Sequence, residues 1–339
     1  MSILRAIRKY WSGKKRWNRF MKHLRTPEYV RFNNNLEDIN HMAQRDPAHL
    51  VALADRHFHK SVQDVAKKTI ARGCRVVLLA GPSSSGKTTT AHLLSDALCQ
   101  LGHETQIISL DDFYHPEEEA PRREDGTQDF ECLEALRVDY IQKCLHDLAT
   151  SNSCEVPEFD FVHHRPAQQT RHLSLSPDGI AIIEGLHALN PILTKDLPRG
   201  STECVYINVK QNICTRSEVL LEAKEVRMIR RIVRDYNFRG TSPERTLKMW
   251  DSVMEGERRY IAPFRAGADF TINSLHAYEL GALRNQALML LRTVVEPGGW
   301  IADEVQRLSF ALMLCTPVSP TLLPPTSLIR EFIGGGLYS

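Results

Sequence analysis

The sequence predicts an α/β fold, a parallel sheet covered by helices on both faces. Three observations predict it. Short apolar, β-branched runs alternate with helical stripes along most of the 339 residues. The first run, Arg75 to Ala80, leads directly into Gly81-Pro82-Ser83-Ser84-Ser85-Gly86-Lys87-Thr88, and a helical stripe follows. Two later runs end in acids, Asp111 and Glu184, at the rim where such sheets bind ligands. The glycine stretch reads G-x-x-x-x-G-K-[ST], the phosphate-cradling P-loop, in the strand-to-helix context it needs. The fold class is therefore that of a P-loop NTPase-type sheet, with an N-terminal helical extension and a helical arginine lid.

The elements follow in order. Residues 1–31 hold ten basic residues against Glu28 alone in a chain of net charge +2, so a basic arm precedes an acidic body. Three fates stay open for that arm: an amphipathic helix on RNA or anionic membrane, an organellar transit segment, or a solvated helix packed on the body. Asn33-Asn34-Asn35 breaks it. Asp46-Pro47 reads as a helix start, and a stripe from Leu50 to Ile70 ends at Gly73. His57 and His59 fall on opposite sides of that helix and cannot share a metal. After the P-loop and its helix, Thr105 to Leu110 is a strand that ends in Asp111-Asp112-Phe113-Tyr114. A polar loop from His115 to Asp129 is too long for a simple connection and points to function. A helix is predicted at about 133–148, an extended run at Val156 to Val162, and a short strand at Arg171 to Leu175. Gly179 to Ile183 and Val205 to Val209 read as buried strands. Helices follow at 224–239 and 244–260, then a strand at 268–272 and a helix at 278–295. The Pro-rich last forty residues carry no assigned element.

Composition narrows the class. No apolar run approaches the ~20 residues of a membrane span, and the N-terminus lacks the apolar core of a secretory signal. Eight cysteines are scattered with no C-x-x-C pair, which fits reduced thiols in a cytoplasmic enzyme.

Phosphoryl transfer needs a held triphosphate with its metal, an oriented nucleophile, and cations on the migrating group. Backbone N–H groups of Gly81 to Thr89, with Ser83, Ser84, Ser85 and Gly86 between, suit the phosphates. Lys87 reaches the terminal phosphates, and the Thr88 hydroxyl suits Mg²⁺. Asp111 is the candidate base, with Asp112 as its rival. Glu184 is placed to hold Mg²⁺ directly or through water. Arg227, Arg230, Arg231 and Arg234 largely share one helix face, as a lid closing on phosphates requires. A solvated arginine helix is the alternative. Asp111, Lys87 and Arg230 are thus assigned to the chemical step, and Arg231 and Arg234 to the nucleotide.

These residues, together with Phe159-Asp160-Phe161-Val162-x-His164 and the terminal Ile329-Arg330-Glu331-Phe332-Ile333-Gly334-Gly335, resemble the uridine kinase/phosphoribulokinase family of P-loop kinases. The likeness spans about residues 50–339 and is strongest to the bacterial uridine-kinase-like branch. It implies ATP- and Mg²⁺-dependent phosphorylation of a nucleoside 5′-hydroxyl, uridine or cytidine. It also implies base catalysis by Asp111, a sugar-hydroxyl contact at Asp129, base contacts at Tyr114, Phe159 and His164, and lid arginines at Arg227 and Arg230, with Arg227 on the acceptor. Phe159 departs from the family's tyrosine. The expected division is a basic arm (1–45), a connecting helix (46–73), a kinase domain (74–300, lid about 224–262) and a C-terminal extension packing on it (301–339). Homo-oligomerisation stays open. Two other functions compete: a P-loop kinase for pantothenate, glycerate or a pentose phosphate, and an NTP-dependent switch that grips RNA or membrane through the arm.

Overall fold

The computed structural model describes residues 33–123, 126–160, 163, 165–195, 197, 200–295 and 298–338. The basic arm to residue 32 and His164 lie outside the described residues. Two helices precede the sheet, α1 (Leu36–Arg45) and α2 (Pro47–Arg72). The Asp46 carboxylate accepts from the His49 N–H at 3.0 Å, and Gly73 closes α2 in the left-handed conformation with φ 68°. Residues 36–45, expected in the arm, form a helix that buries Leu36, Ile39, Met42 and Ala43 in the main core. At ten residues the stripe is too short to stand out by periodicity.

Next come β1 (Val76–Ala80), α3 (Lys87–Gln100), β2 (Thr105–Ser109) and α4 (Val138–Ser151). A long hairpin follows, β3 (Ser153–Asp160) with β4 (Arg165–Ser174), then β5 (Ile180–Gly185) and β6 (Thr202–Asn208). A small hairpin, β7 (Ile213–Cys214) and β8 (Val219–Leu221), leads into α5 (Ala223–Phe238). The chain ends with α6 (Pro243–Lys248), α7 (Trp250–Gly256), β9 (Phe270–Asn273), α8 (Glu279–Leu291), α9 (Trp300–Leu314) and α10 (Arg330–Ile333).

Five parallel strands form the main sheet in the order β2-β5-β1-β6-β9. Along β1 the side chains alternate between two cores. Val77 and Leu79 face α2, α3 and α5, whereas Val76, Leu78 and Ala80 face the side of α4 and the β3–β4 hairpin. Burial on both faces explains why the strands read as unbroken apolar runs. Register then fixes the rim: Glu184 lies beside Leu79 of β1 and Ser109 of β2.

Two predicted helices are broken. The one expected at 133–148 begins as a single turn at Leu133–Ala135, and α4 starts only at Val138. The one expected at 244–260 is α6, then α7, then a π-helical turn over Glu257–Ile261. The last forty residues supply α9 and α10, and Phe332 of α10 is fully buried. No helix of the described residues is long and apolar enough to cross a membrane.

Candidate active site

The P-loop needs unusual backbone. Gly86 has φ 92°, and a Cβ there would fall 2.4 Å from the Leu328 side chain, so only glycine fits. Ser84 is also left-handed, with φ 58°. A loop that turns its N–H groups inward toward a phosphate turns its carbonyls outward, and buried carbonyls need donors. Helix α5 supplies them. Arg227 donates to the Ser83 carbonyl at 3.2 Å, Arg230 to the Ser84 carbonyl at 3.2 Å, and Arg231 to the Ser83 hydroxyl at 2.9 Å.

This corrects the picture of an exposed arginine face. Arg227, Arg230 and Arg231 are 2%, 0% and 8% exposed, each paired with an acid, two on later elements and one on α5 itself. Glu257 takes Arg227 at 2.6 Å, Glu279 takes Arg230 at 2.5 Å, and Asp235 holds Arg231 and Arg234 at 3.1 and 2.7 Å. In this conformation Arg230 braces the loop, and its guanidinium faces Ser274 and Glu279 rather than the cleft. Arg227, expected on the acceptor, is likewise engaged with the loop and Glu257. Thr89 differs from expectation too. Its N–H and hydroxyl both donate to Glu331 of α10, at 3.2 and 2.8 Å, so its place in the first turn of α3 is filled by a carboxylate.

At the cleft itself, Lys87 lies near the Pro82 carbonyl at 3.4 Å, and Thr88 is exposed beside it. Asp111 opens the turn after β2, with its N–H on the Ser109 hydroxyl at 3.3 Å. Its carboxylate accepts no hydrogen bond among the described residues, and its charge is felt by Glu184, Tyr114, Glu131 and His187. Asp112 is turned the other way: its carboxyl accepts from the Phe159 backbone of β3, and burial pushes it up. Tyr114 packs on Phe159 and Phe130, with ring centres 6.0 and 6.4 Å apart, and donates to the Phe130 carbonyl at 3.0 Å. Asp129 is enclosed by Arg123 at 2.9 Å and the Tyr260 hydroxyl at 3.0 Å.

Glu184 is 5% exposed and accepts from the Ser109 hydroxyl at 2.9 Å. Burial and the Asp111 charge push it up to about 7, against the pull of Lys87 and Ser109. A buried carboxylate short of positive charge fits a hard cation. No group of three or more His, Cys, Asp or Glu able to hold a metal occurs among the described residues. Mg²⁺ is usually held by one or two protein oxygens plus substrate phosphates, and needs no such group.

Glu184 carries a pH dependence. In the metal-free protein, the folded state keeps a proton that an unfolded chain loses above the usual 4.5. Stability should therefore fall as pH rises from about 4.5 to about 7. Cation binding needs the ionised form. Mg²⁺·ATP affinity is expected to rise from about pH 6 to about pH 8 with proton release, seen by calorimetry in two buffers. Glu184→Gln should remove the proton release; an unchanged release would place the titrating group elsewhere.

Glu131, Glu279, His187 and Glu331 were not foreseen as site residues. Only Glu331 had a sequence signal, through the terminal Ile329 to Gly335 motif.

Comparison with known proteins identifies a family and several relatives. A family model described as "Phosphoribulokinase / Uridine kinase family" matches residues 76–280. A uridine kinase of Vibrio cholerae is 26% identical over 202 residues, covering 59% of this chain and 86% of that protein. A uridine kinase of Bacillus subtilis is 26% identical over 198 residues, 58% of this chain and 84% of that one. A solved structure described as a possible uridine kinase from Bacillus stearothermophilus is 20% identical, with a TM-score of 0.40 over 63% of this chain and 97% of that chain.

Proposed function

The chain belongs to the phosphoribulokinase/uridine kinase family, and from that membership we propose that it transfers the γ-phosphate of ATP to the 5′-hydroxyl of a pyrimidine nucleoside, uridine or cytidine. The observation that carries this reading is Asp111: a carboxylate without a hydrogen bond among the described residues, electrostatically joined to Glu184, which in turn feels Lys87. In this reading the terminal phosphate and an attacking alcohol meet beside these three groups.

In this mechanism the P-loop N–H groups and Lys87 hold the phosphates, and α5 keeps the loop in shape. Thr88 and Glu184 would hold Mg²⁺, which supplies charge neutralisation on the phosphates when bound. Asp111 accepts the hydroxyl proton as the oxygen attacks phosphorus, and ADP leaves. Tyr114 and Phe159 present aromatic faces to a planar base. A second reading keeps the chemistry and changes the acceptor to pantothenate, glycerate or a pentose phosphate. Two observations favour it: Phe159 has no hydroxyl, and Asp129 is already enclosed.

An acceptor screen with the purified protein tests the choice. ADP release with Mg²⁺·ATP is expected with uridine or cytidine and not with the other alcohols. Strong turnover of another acceptor with none of either nucleoside would reject the nucleoside reading.

A further inference from the structure

We propose that Glu331 is an autoinhibitory gate: its carboxylate holds the place on Thr89 that a nucleotide phosphate takes, and turns out when the nucleotide binds. This rests on the P-loop reading of the site and is independent of which alcohol is the acceptor.

The two anions meet in the first turn of α3. Thr90 is the first residue there whose N–H bonds back along the helix, to the Gly86 carbonyl at 3.1 Å. The N–H of Thr89 therefore has no partner inside its own helix. Such groups after a P-loop are what a phosphate binds. Here one oxygen of Glu331, Oε2, takes both polar groups of Thr89, the N–H at 3.2 Å and the hydroxyl at 2.8 Å. Thr89 is 3% exposed, so neither group is open to a second anion while the carboxylate stays. Both hydrogen bonds are charge-assisted, and a phosphate brought to the same N–H would meet a like charge. The Glu331 charge also helps to push Glu184 up, so it weighs on the cation side of the cleft as well.

The moving part is a side chain, because the segment that carries it is fixed. Leu328, Ile329 and Phe332 are fully buried. Leu328 packs on Gly86 of the P-loop, and the Phe332 ring lies under Arg230. Arg330 donates to the carbonyls of Pro320, Leu323 and Gly334 at 2.9, 2.8 and 3.2 Å, and the Asn237 amide donates to the Phe332 carbonyl at 3.0 Å. Glu331, by contrast, is only half-buried. Its release needs a change of rotamer and leaves the last helix where it is. If the carboxylate is off Thr89 about a tenth of the time, ATP affinity is reduced about tenfold.

The test is ATP affinity by calorimetry, without acceptor, for the parent protein, Glu331→Ala and Glu331→Gln, beside the melting temperature of each without nucleotide. Glu331→Ala is expected to bind ATP about 10-fold more tightly than the parent. Glu331→Gln should gain less, since its amide oxygen can still accept from Thr89. Both melting temperatures should fall, because the Thr89 N–H loses its charged partner. Opposite movement of the two readouts is the signature of a gate, whereas a residue that merely shapes the loop would lower both. Unchanged or weaker ATP binding in Glu331→Ala overturns the proposal. If that variant does not fold, Glu331→Gln decides alone, and ATP binding no tighter than the parent's overturns it. If none of the three proteins binds ATP, the P-loop reading fails and the gate with it. Tight ATP binding without nucleoside turnover would reject only the acceptor reading, so the failures stay distinguishable.

Discussion

Asp111→Asn is expected to lower turnover about 10²–10⁴-fold while leaving ATP affinity close to that of the parent protein. An amide keeps the shape of the side chain and its place after β2, but it cannot take the proton of an attacking hydroxyl. Because Asp111 accepts no hydrogen bond among the described residues, the substitution removes no structural bond, and the melting temperature should hold. Asp112→Asn is the control. Asp112 ties the end of β2 to the Phe159 backbone of β3, so its loss should loosen the acceptor side and raise KM more than it lowers kcat. Single-turnover rates with excess enzyme, beside an ATP titration, separate the two. Normal transfer in Asp111→Asn with a dead Asp112→Asn would move the base by one residue and require β3 to shift away.

Much of this site can be read from residues that end regular elements. The Ile182-Ile183 run must stop somewhere, and the residue where it stops, Glu184, is at the rim because a parallel strand has only one ligand-facing end. The same logic delivers Asp111 and the P-loop. The arginines of α5 show how far such logic goes. Their spacing places them on one face, but what covers that face is decided by Glu257 and Glu279, which belong to later elements with no periodic relation to α5. A guanidinium row looks the same in sequence whether it faces phosphate or braces a loop. Glu131 lies in irregular chain, where neither the helical nor the strand period applies, so only its contacts with His187 and Gly256 show where it sits. The resemblance implies a sugar contact at Asp129, yet Arg123 and Tyr260 occupy it from either side in sequence. The hold of Glu331 on Thr89 joins the last helix to the first turn of α3, a separation no local pattern can report.

Glu279→Gln should destabilise the protein by roughly 3–5 kcal/mol, because it leaves the Arg230 charge buried without its counter-ion. The pair is 2.5 Å apart and is 0% and 1% exposed, so solvent cannot take over for the missing carboxylate. Arg230 also lies over the Phe332 ring at 5.1 Å, and its charge helps burial depress His276 to about 3. Loss of Glu279 should therefore loosen α10 and the segment after β9 together with the P-loop. Arg230→Met asks what the arginine is for. If it braces the loop, as the Ser84 carbonyl and Ser274 contacts indicate, melting temperature and ATP affinity fall together, and kcat at saturating ATP recovers much of its parent value. If it instead meets the migrating phosphoryl group, kcat collapses at saturating ATP by about 10³-fold or more while ATP binding persists. The double variant Arg230→Met/Glu279→Leu sharpens the contrast, since replacing both charges with apolar groups restores stability in many buried pairs. Recovered melting temperature with ATP affinity still weak would show that the ion pair is dispensable for folding and needed for the shape of the phosphate cradle. Full recovery of both would mean that the loop holds itself, and that the arginine row of α5 is packing alone.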